Sequence, residues 1–166
     1  MTDIDAYIQP TAAATWLTAH VVFLAAWTAA TNDQKAAALV EASDHIDSLM
    51  LKGYRYANKE TQIREFPRIP DRAAQVIPYD SEINFQSEED YSEVPHEVLD
   101  ACCLEALEIL KQGNSQRREN QEQGIQSQNI AGSSVSYVPG AGQQTLWSVR
   151  ARKKLAHWIA GSVEAV

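Results

Sequence analysis

Residues 31–53, TNDQKAAALVEASDHIDSLMLKG, constrain the fold more tightly than any other stretch of this chain. Thr31 is placed to cap a helix with its hydroxyl, and Gln34, three residues on, to reach back to the Thr31 N–H, so that two orphan donors are satisfied reciprocally. Asp33 suits the positive end of the helix dipole. Ala36, Leu39, Val40, Ser43, Ile46, Leu49 and Met50 recur at helical spacing and make an apolar stripe that must pack on something. Glu41, Asp44 and Asp47 lie away from it. Gly53 reads as a left-handed stop, with Lys52 near the negative end.

A chain of 166 residues fits one domain with a core of its own. Its net charge of −8 argues against a generic polyanion binder, because nonspecific nucleic-acid affinity comes from Lys and Arg neutralising phosphates. The charge is uneven. Residues 73–110 contain no Lys or Arg but hold Asp80, Glu82, Glu88, Glu89, Asp90, Glu93, Glu97, Asp100, Glu105 and Glu108, whereas Arg150, Arg152, Lys153 and Lys154 cluster near the C-terminus. An acidic flank and a basic tail could join copies of the chain, or simply be two solvated faces. The only cysteines, Cys102 and Cys103, are neighbours that point apart on a helix, which predicts reduced, buried thiols and, weakly, a cytosolic origin. Asp3 and Asp5 at the N-terminus do not read as a secretory leader.

Taken in order, residues 3–9 (DIDAYIQ) suggest a short acidic helix capped at Thr2 and halted by Pro10. Residues 11–30 carry no charged side chain and include Trp16, Leu17, Val21, Val22, Phe23, Leu24 and Trp27. A membrane span is disfavoured there, since the apolar run is short, Thr and His20 interrupt it, and no basic flank orients it. A helix buried inside the subunit or between subunits is favoured, with a short strand at 21–24 as a variant. Beyond Gly53, Tyr54, Tyr56, Phe66-Pro67-Arg68, Ile69-Pro70 and Ile77-Pro78 read as loops, with the acidic run at 87–93 exposed; Tyr and Phe in such loops more often cover a core edge than stack on bases. Pro95 then opens a second strong helix. Val98, Leu99, Cys102, Ala106 and Ile109 form one stripe, Leu104 and Leu107 another, and Gly113 ends it, which makes this helix central.

Residues 114–128 are almost devoid of apolar side chains and read as a mobile arm. Weak alternation through Ile125, Ile130, Val135, Tyr137 and Val138 around Ala131-Gly132-Ser133 predicts a hairpin, which alone would be marginal in water. Pro139, Gly140 and Gly142 suggest a hinge. Residues 145–160 read as a last helix. Trp147, Ala151, Leu155, Trp158 and Ile159 line one face, with Arg150, Arg152, Lys153, Lys154 and His157 elsewhere. That basic amphipathic pattern suits core packing first, a partner protein second and a membrane surface third. The expected architecture is therefore mainly α: a small helical bundle over 1–113, an extended arm and β-hairpin insertion over 114–144, and a C-terminal helix over 145–166.

No motif carries catalysis. There is no phosphate-cradling glycine loop, no paired-Cys ligand set and no nucleophile motif. His20, His45, His96 and His157 are scattered, and Asp44-His45-x-Asp47 spreads its groups around a helix rather than converging on a metal. The chain is expected to be non-enzymatic and to need no cofactor or metal.

Trp27-x-x-Ala30, Gln34-Lys35-x-Ala37-x-Leu39-x-x-Ala42-x-x-x-Ile46-Asp47, Gly53, Thr61-Gln62, Phe66-Pro67-Arg68, Val94-Pro95-x-x-Val98-x-x-Ala101-Cys102-x-x-Glu105 and Val135-Ser136-Tyr137 follow one another in order. Together they resemble the head–tail adaptor (connector, head-completion) proteins of tailed bacteriophages, a subset of which is labelled as similar to a primosomal single-strand-DNA-binding protein. The resemblance implies a structural virion protein at the capsid neck. Such subunits assemble as a homo-oligomeric ring, commonly of twelve copies, beneath the portal protein. The ring extends the channel through which DNA passes without sequence-specific binding, and offers a platform for the next tail component. On that reading Trp147, Arg150, Ala151, Lys154, Leu155, Trp158 and Ile159 dock the portal, Ile125, Ile130, Val135 and Tyr137 make inter-subunit contacts, and no membrane is involved. The alternative is a single-stranded-DNA-binding protein of a replication or primosome type. It would use Arg150, Arg152, Lys153 and Lys154 with Trp147 and Trp158 as stacking platforms.

Overall fold

Helix α4 (His96–Gln112) is the axis on which the other helices pack. It follows α1 (Pro10–His20), α2 (Ala25–Ala29) and α3 (Asn32–Asp47), and precedes the short α5 (Val149–Lys154). Strands β1 (Tyr54–Arg55) and β2 (Arg68–Ile69) form one antiparallel ribbon, and β3 (Ser127–Ile130) and β4 (Ser133–Ser136) another. The computed structural model describes residues 4–57, 60–70, 91–112, 127–130, 133–136 and 146–160. The protein is mainly α with a small hairpin, as its apolar periodicity predicts.

The two stripes foreseen on α4 explain its position. Every residue from 101 to 107 is buried, so the helix meets α3 and α5 at once, with α1 and α2 against it too. Cys102 and Cys103 are free, fully buried thiols. Burial pushes the Cys102 thiol up to about 12 against a mild lowering by the Ser43 hydroxyl 3.5 Å away, and raises Cys103 further.

Helix α3 begins as its sequence dictates. Thr31 Oγ1 accepts from Gln34 N at 3.2 Å, and Gln34 Oε1 accepts from Thr31 N at 2.9 Å. Its buried face is Ala38, Leu39, Ala42, Ser43 and Ile46. Loss of such a cap costs about 1 kcal/mol, whereas truncating a core leucine such as Leu39 to alanine costs about 2–5 kcal/mol, so packing holds this helix more than capping does. Thr31→Ala should accordingly lower the melting temperature by only about 2–4 °C in a calorimetric scan; a loss several times larger would mean that the cap nucleates more than its own helix.

The end of α3 departs from the sequence reading. The helix stops at Asp47, not at Gly53, because the following backbone is used elsewhere. Lys52 N donates to Trp158 O at 2.8 Å, Ala160 N donates to Met50 O at 2.7 Å, and Leu51 bridges Ile159. Met50 is consequently exposed rather than part of the stripe. Gly53 does adopt a positive φ of 79°, but for the ribbon: a Cβ there would lie 2.2 Å from the Ile69 carbonyl oxygen. A glycine signal fixes a backbone conformation without saying which element needs it.

Three further differences have similar causes. Residues 4–9 are bends, not a helix, and Pro10 starts α1 instead of stopping a predecessor. Gln9 closes that bend by accepting from Ile4 N and donating to Ile4 O. The apolar stretch from 11 to 30 divides into α1 and α2 with exposed Val22 and Phe23 between them, and no helix among the described residues is long and apolar enough to cross a membrane. The C-terminal helix is shorter than its stripe: Ser148 Oγ caps it by accepting from Ala151 N at 3.2 Å, and after Lys154 the chain continues in turns to Ala160. Leu146, Ala151, Leu155 and Trp158 nevertheless join the same buried cluster as the earlier helices. The β3–β4 hairpin lies where the alternation predicted, pairing Ser127 with Ser136 and Ile130 with Ser133.

The segment from 60 to 69 is fastened to the bundle by ionic side chains. Arg64 donates to the Asp44 carboxylate at 2.5 Å and to Asp47 at 3.0 Å, and pairs with Asp5. Tyr7 donates its hydroxyl to Asp47, and burial plus that carboxylate hold the phenol far above its ordinary range. Glu65 pairs with both Arg55 and Arg68, and the Arg55 guanidinium holds the Glu65 carboxyl below its ordinary value. A depressed carboxylate stabilises the fold at pH values above its unfolded value, and that stability is lost as pH falls through the folded one. Urea midpoints should therefore decline below about pH 4, and Glu65→Gln should flatten that decline. An unchanged acid limb in the variant would assign the decline to other carboxylates.

Candidate nucleic-acid interface

Helices α1, α4 and α5 meet at a cleft of about 360 Å³ lined by Trp16, His20, Leu104, Arg150, Lys153 and Lys154. Each side chain is there for a local reason. Trp16 and His20 are four residues apart, so they share one face of α1 and stack at 4.5 Å between centroids, 15° from parallel. Arg150, Lys153 and Lys154 stand at i, i+3 and i+4 and share one face of α5 in the same way. Leu104 supplies the floor from the central helix.

The cations of the cleft are not equivalent. Lys154 Nζ lies 2.8 Å from Asp100 Oδ2 and is largely neutralised. Arg150 and Lys153 are exposed and make no ion pair among the described residues. His20 Nδ1 lies 2.8 Å from the Trp16 carbonyl oxygen. A carbonyl only accepts, so Nδ1 carries the hydrogen, and Nε2 is left to accept or, on a protonated ring, to donate. The cleft thus offers an aromatic stack, two cations with no ion pair among the described residues and one adaptable ring nitrogen, on a protein whose net charge is negative.

The wall that carries the cations is fixed from below by Glu105. This carboxylate is fully buried on α4. It accepts from Trp147 N at 2.7 Å and Ser148 N at 2.8 Å, and lies 2.9 Å from His45 Nδ1. The His45 ring in turn tilts against Trp147 at 5.5 Å. Asp44 and Asp47 turn away to Arg64, so the Asp44-His45-x-Asp47 run does not converge; among the described residues, no group of three His, Cys, Asp or Glu could hold a metal ion.

The residues singled out from the sequence fall in different places. Arg150, Arg152, Lys153 and Lys154 are exposed, and three of them line the cleft. Ala151, Leu155 and Trp158 are buried, while Trp147 and Ile159 are half-buried. Trp158 packs edge-on against Phe66 at 5.2 Å and is 8 % exposed, so it is not the stacking platform that its proximity to the basic residues suggested. Ile130 and Val135 lie on β3 and β4, whereas Ile125 and Tyr137 fall outside the described residues. Sequence reasoning missed Trp16 and His20 because their neighbours are apolar. Their four-residue spacing is the signal that could have found them.

A small helical domain bearing a basic, aromatic cleft is the class of protein defined by this geometry. A family model described as "Putative DnaT-like ssDNA binding protein" matches residues 1–166, and the chain belongs to that family. The match overturns the head–tail adaptor assignment, and with it the portal partner, the ring beneath the portal, the passive passage of DNA through its channel and the portal-docking role for α5. No curated protein and no solved structure matches the chain.

Proposed function

We propose that the protein is a non-catalytic single-stranded-DNA-binding module whose contact surface is the α1–α4–α5 cleft. The observation that carries this reading is the parallel Trp16–His20 stack set beside Arg150 and Lys153. An unpaired base continues the stack on the aromatic surface, and the adjoining phosphates meet the two free cations. Stacking on an aromatic is worth roughly 1–3 kcal/mol per base and tolerates any base, so it supplies affinity without sequence choice. Duplex DNA keeps its bases paired and cannot use the stack. The surrounding acidity confines binding to this patch and opposes nonspecific coating of DNA. The family's own description names the same ligand.

A tryptophan-fluorescence titration with oligo(dT) tests the reading. Quenching should appear at low salt, and log affinity should fall against log salt with a slope of about −1.5 to −2, as two or three phosphate contacts require. A duplex of equal length should bind much more weakly. Absence of quenching and of binding at low salt would overturn the assignment.

A further inference from the structure

Tyr54 and Tyr56 are exposed, at 62 % and 49 %, although the sequence suggested that they cover a core edge. Their position explains the difference. β1 pairs Tyr54 with Ile69 and Arg55 with Arg68, and the pairing continues because Tyr56 N donates to Pro67 O at 3.0 Å. Alternate residues of a strand share a face, so both tyrosines stand on the outer side while Arg55, between them, is held by Glu65. The core edge is closed instead by Phe66, which is buried against Trp158 and Tyr7.

We propose that Tyr54 and Tyr56 form a second base-stacking subsite for single-stranded DNA, extending the cleft; the inference rests on the single-strand-binding reading above. Two observations support the occupant. The first is continuity: one bridge, Leu51 to Ile159, joins the segment leaving α5 to the segment entering β1, and Lys52 N and Ala160 N reinforce it through Trp158 O and Met50 O. The ribbon and the cationic wall therefore hang on the same piece of backbone. The second is spacing. Side chains two apart on a strand are about 7 Å apart, roughly twice the ~3.4 Å rise of stacked bases. An extended, unstacked strand can set one base on each ring; a duplex cannot. The nearby cations Arg55 and Arg68 are both satisfied by Glu65, so this subsite contributes stacking rather than charge.

That difference gives the test a signature. Full-length protein and the double variant Tyr54→Ala/Tyr56→Ala are titrated with a short oligo(dT) of about four nucleotides and a long one of about twelve. Wild type should bind the long strand more tightly. The double variant should lose on the order of ten- to a hundredfold on the long strand, little on the short one, and keep the wild-type salt slope. Tyr54→Phe/Tyr56→Phe keeps the rings and should restore long-strand affinity. Bound long strand should also slow nitration of the two tyrosines in unmodified protein, a readout independent of any variant. Equal binding of the long strand by wild type and the alanine variant would overturn the subsite while leaving the cleft standing. No binding of either strand by wild type would overturn the cleft and the subsite together.

Discussion

Reversing both free cations of the cleft, in Arg150→Glu/Lys153→Glu, is expected to weaken binding of oligo(dT) at low salt by on the order of a hundredfold or more. Two attractions to phosphate become two repulsions, and the remaining cation, Lys154, is already held by Asp100. Both residues are exposed and lie outside the core, so the melting temperature should stay close to that of the wild type. Trp16→Ala separates the two parts of the site. It should cost roughly tenfold or more in affinity and leave the salt slope in place, because it removes a stacking surface and no charge. If the charge-reversed protein binds as tightly as the wild type, DNA contacts some other surface.

The largest effect on stability is expected at Glu105. The carboxylate is fully buried and serves two main-chain N–H groups and His45 at once. Glu105→Ala removes the acceptor these groups share at the centre of the bundle, at a cost of roughly 3–5 kcal/mol. In a chain of this length that corresponds to a fall in melting temperature of about 10 °C. The damage should begin at α5, because the lost acceptor is what holds residues 147 and 148 on α4. Hydrogen exchange should therefore rise first across Trp147–Leu155 and only later in α3. Glu105→Gln keeps one acceptor oxygen but turns an NH2 group toward groups that also donate, so it should fall between wild type and alanine. A Glu105→Ala protein that melts at the wild-type temperature would show the carboxylate to be replaceable by water.

The parts of the fold that were legible in the sequence are those governed by local rules or strong periodicity. The Thr31–Gln34 box formed as its side chains require, α4 became central because it is apolar on two sides, and alternation placed the β3–β4 hairpin. What was hidden depended on distant chain. Nothing near Asp47 announces that Met50, Leu51 and Lys52 will pair with residues 158–160. Gly53 and Pro10 were real signals attached to the wrong element. The site was half visible: the cations stood out as a cluster, but the aromatic partner came from residues 130 positions or more away in α1, inside a stretch that reads as core. The adaptor resemblance misled for a related reason. Trp27, Leu39, Ala42, Ile46, Gln62, Phe66, Arg68, Val98, Ala101, Cys102 and Glu105, which carried much of it, are all buried. They record how a helical bundle packs, and packing is shared by proteins of different function.

The adjacent thiols of α4 have a practical use that follows from their burial. With Cys102 and Cys103 shielded and held protonated, maleimide chemistry on the native protein has no ready target. One cysteine introduced at an exposed position, such as Arg152 beside the cleft, would therefore take a dye selectively in the otherwise wild-type background. Energy transfer from that dye to a labelled oligonucleotide would then measure how a strand lies across the surface, without first deleting two residues from the centre of the bundle.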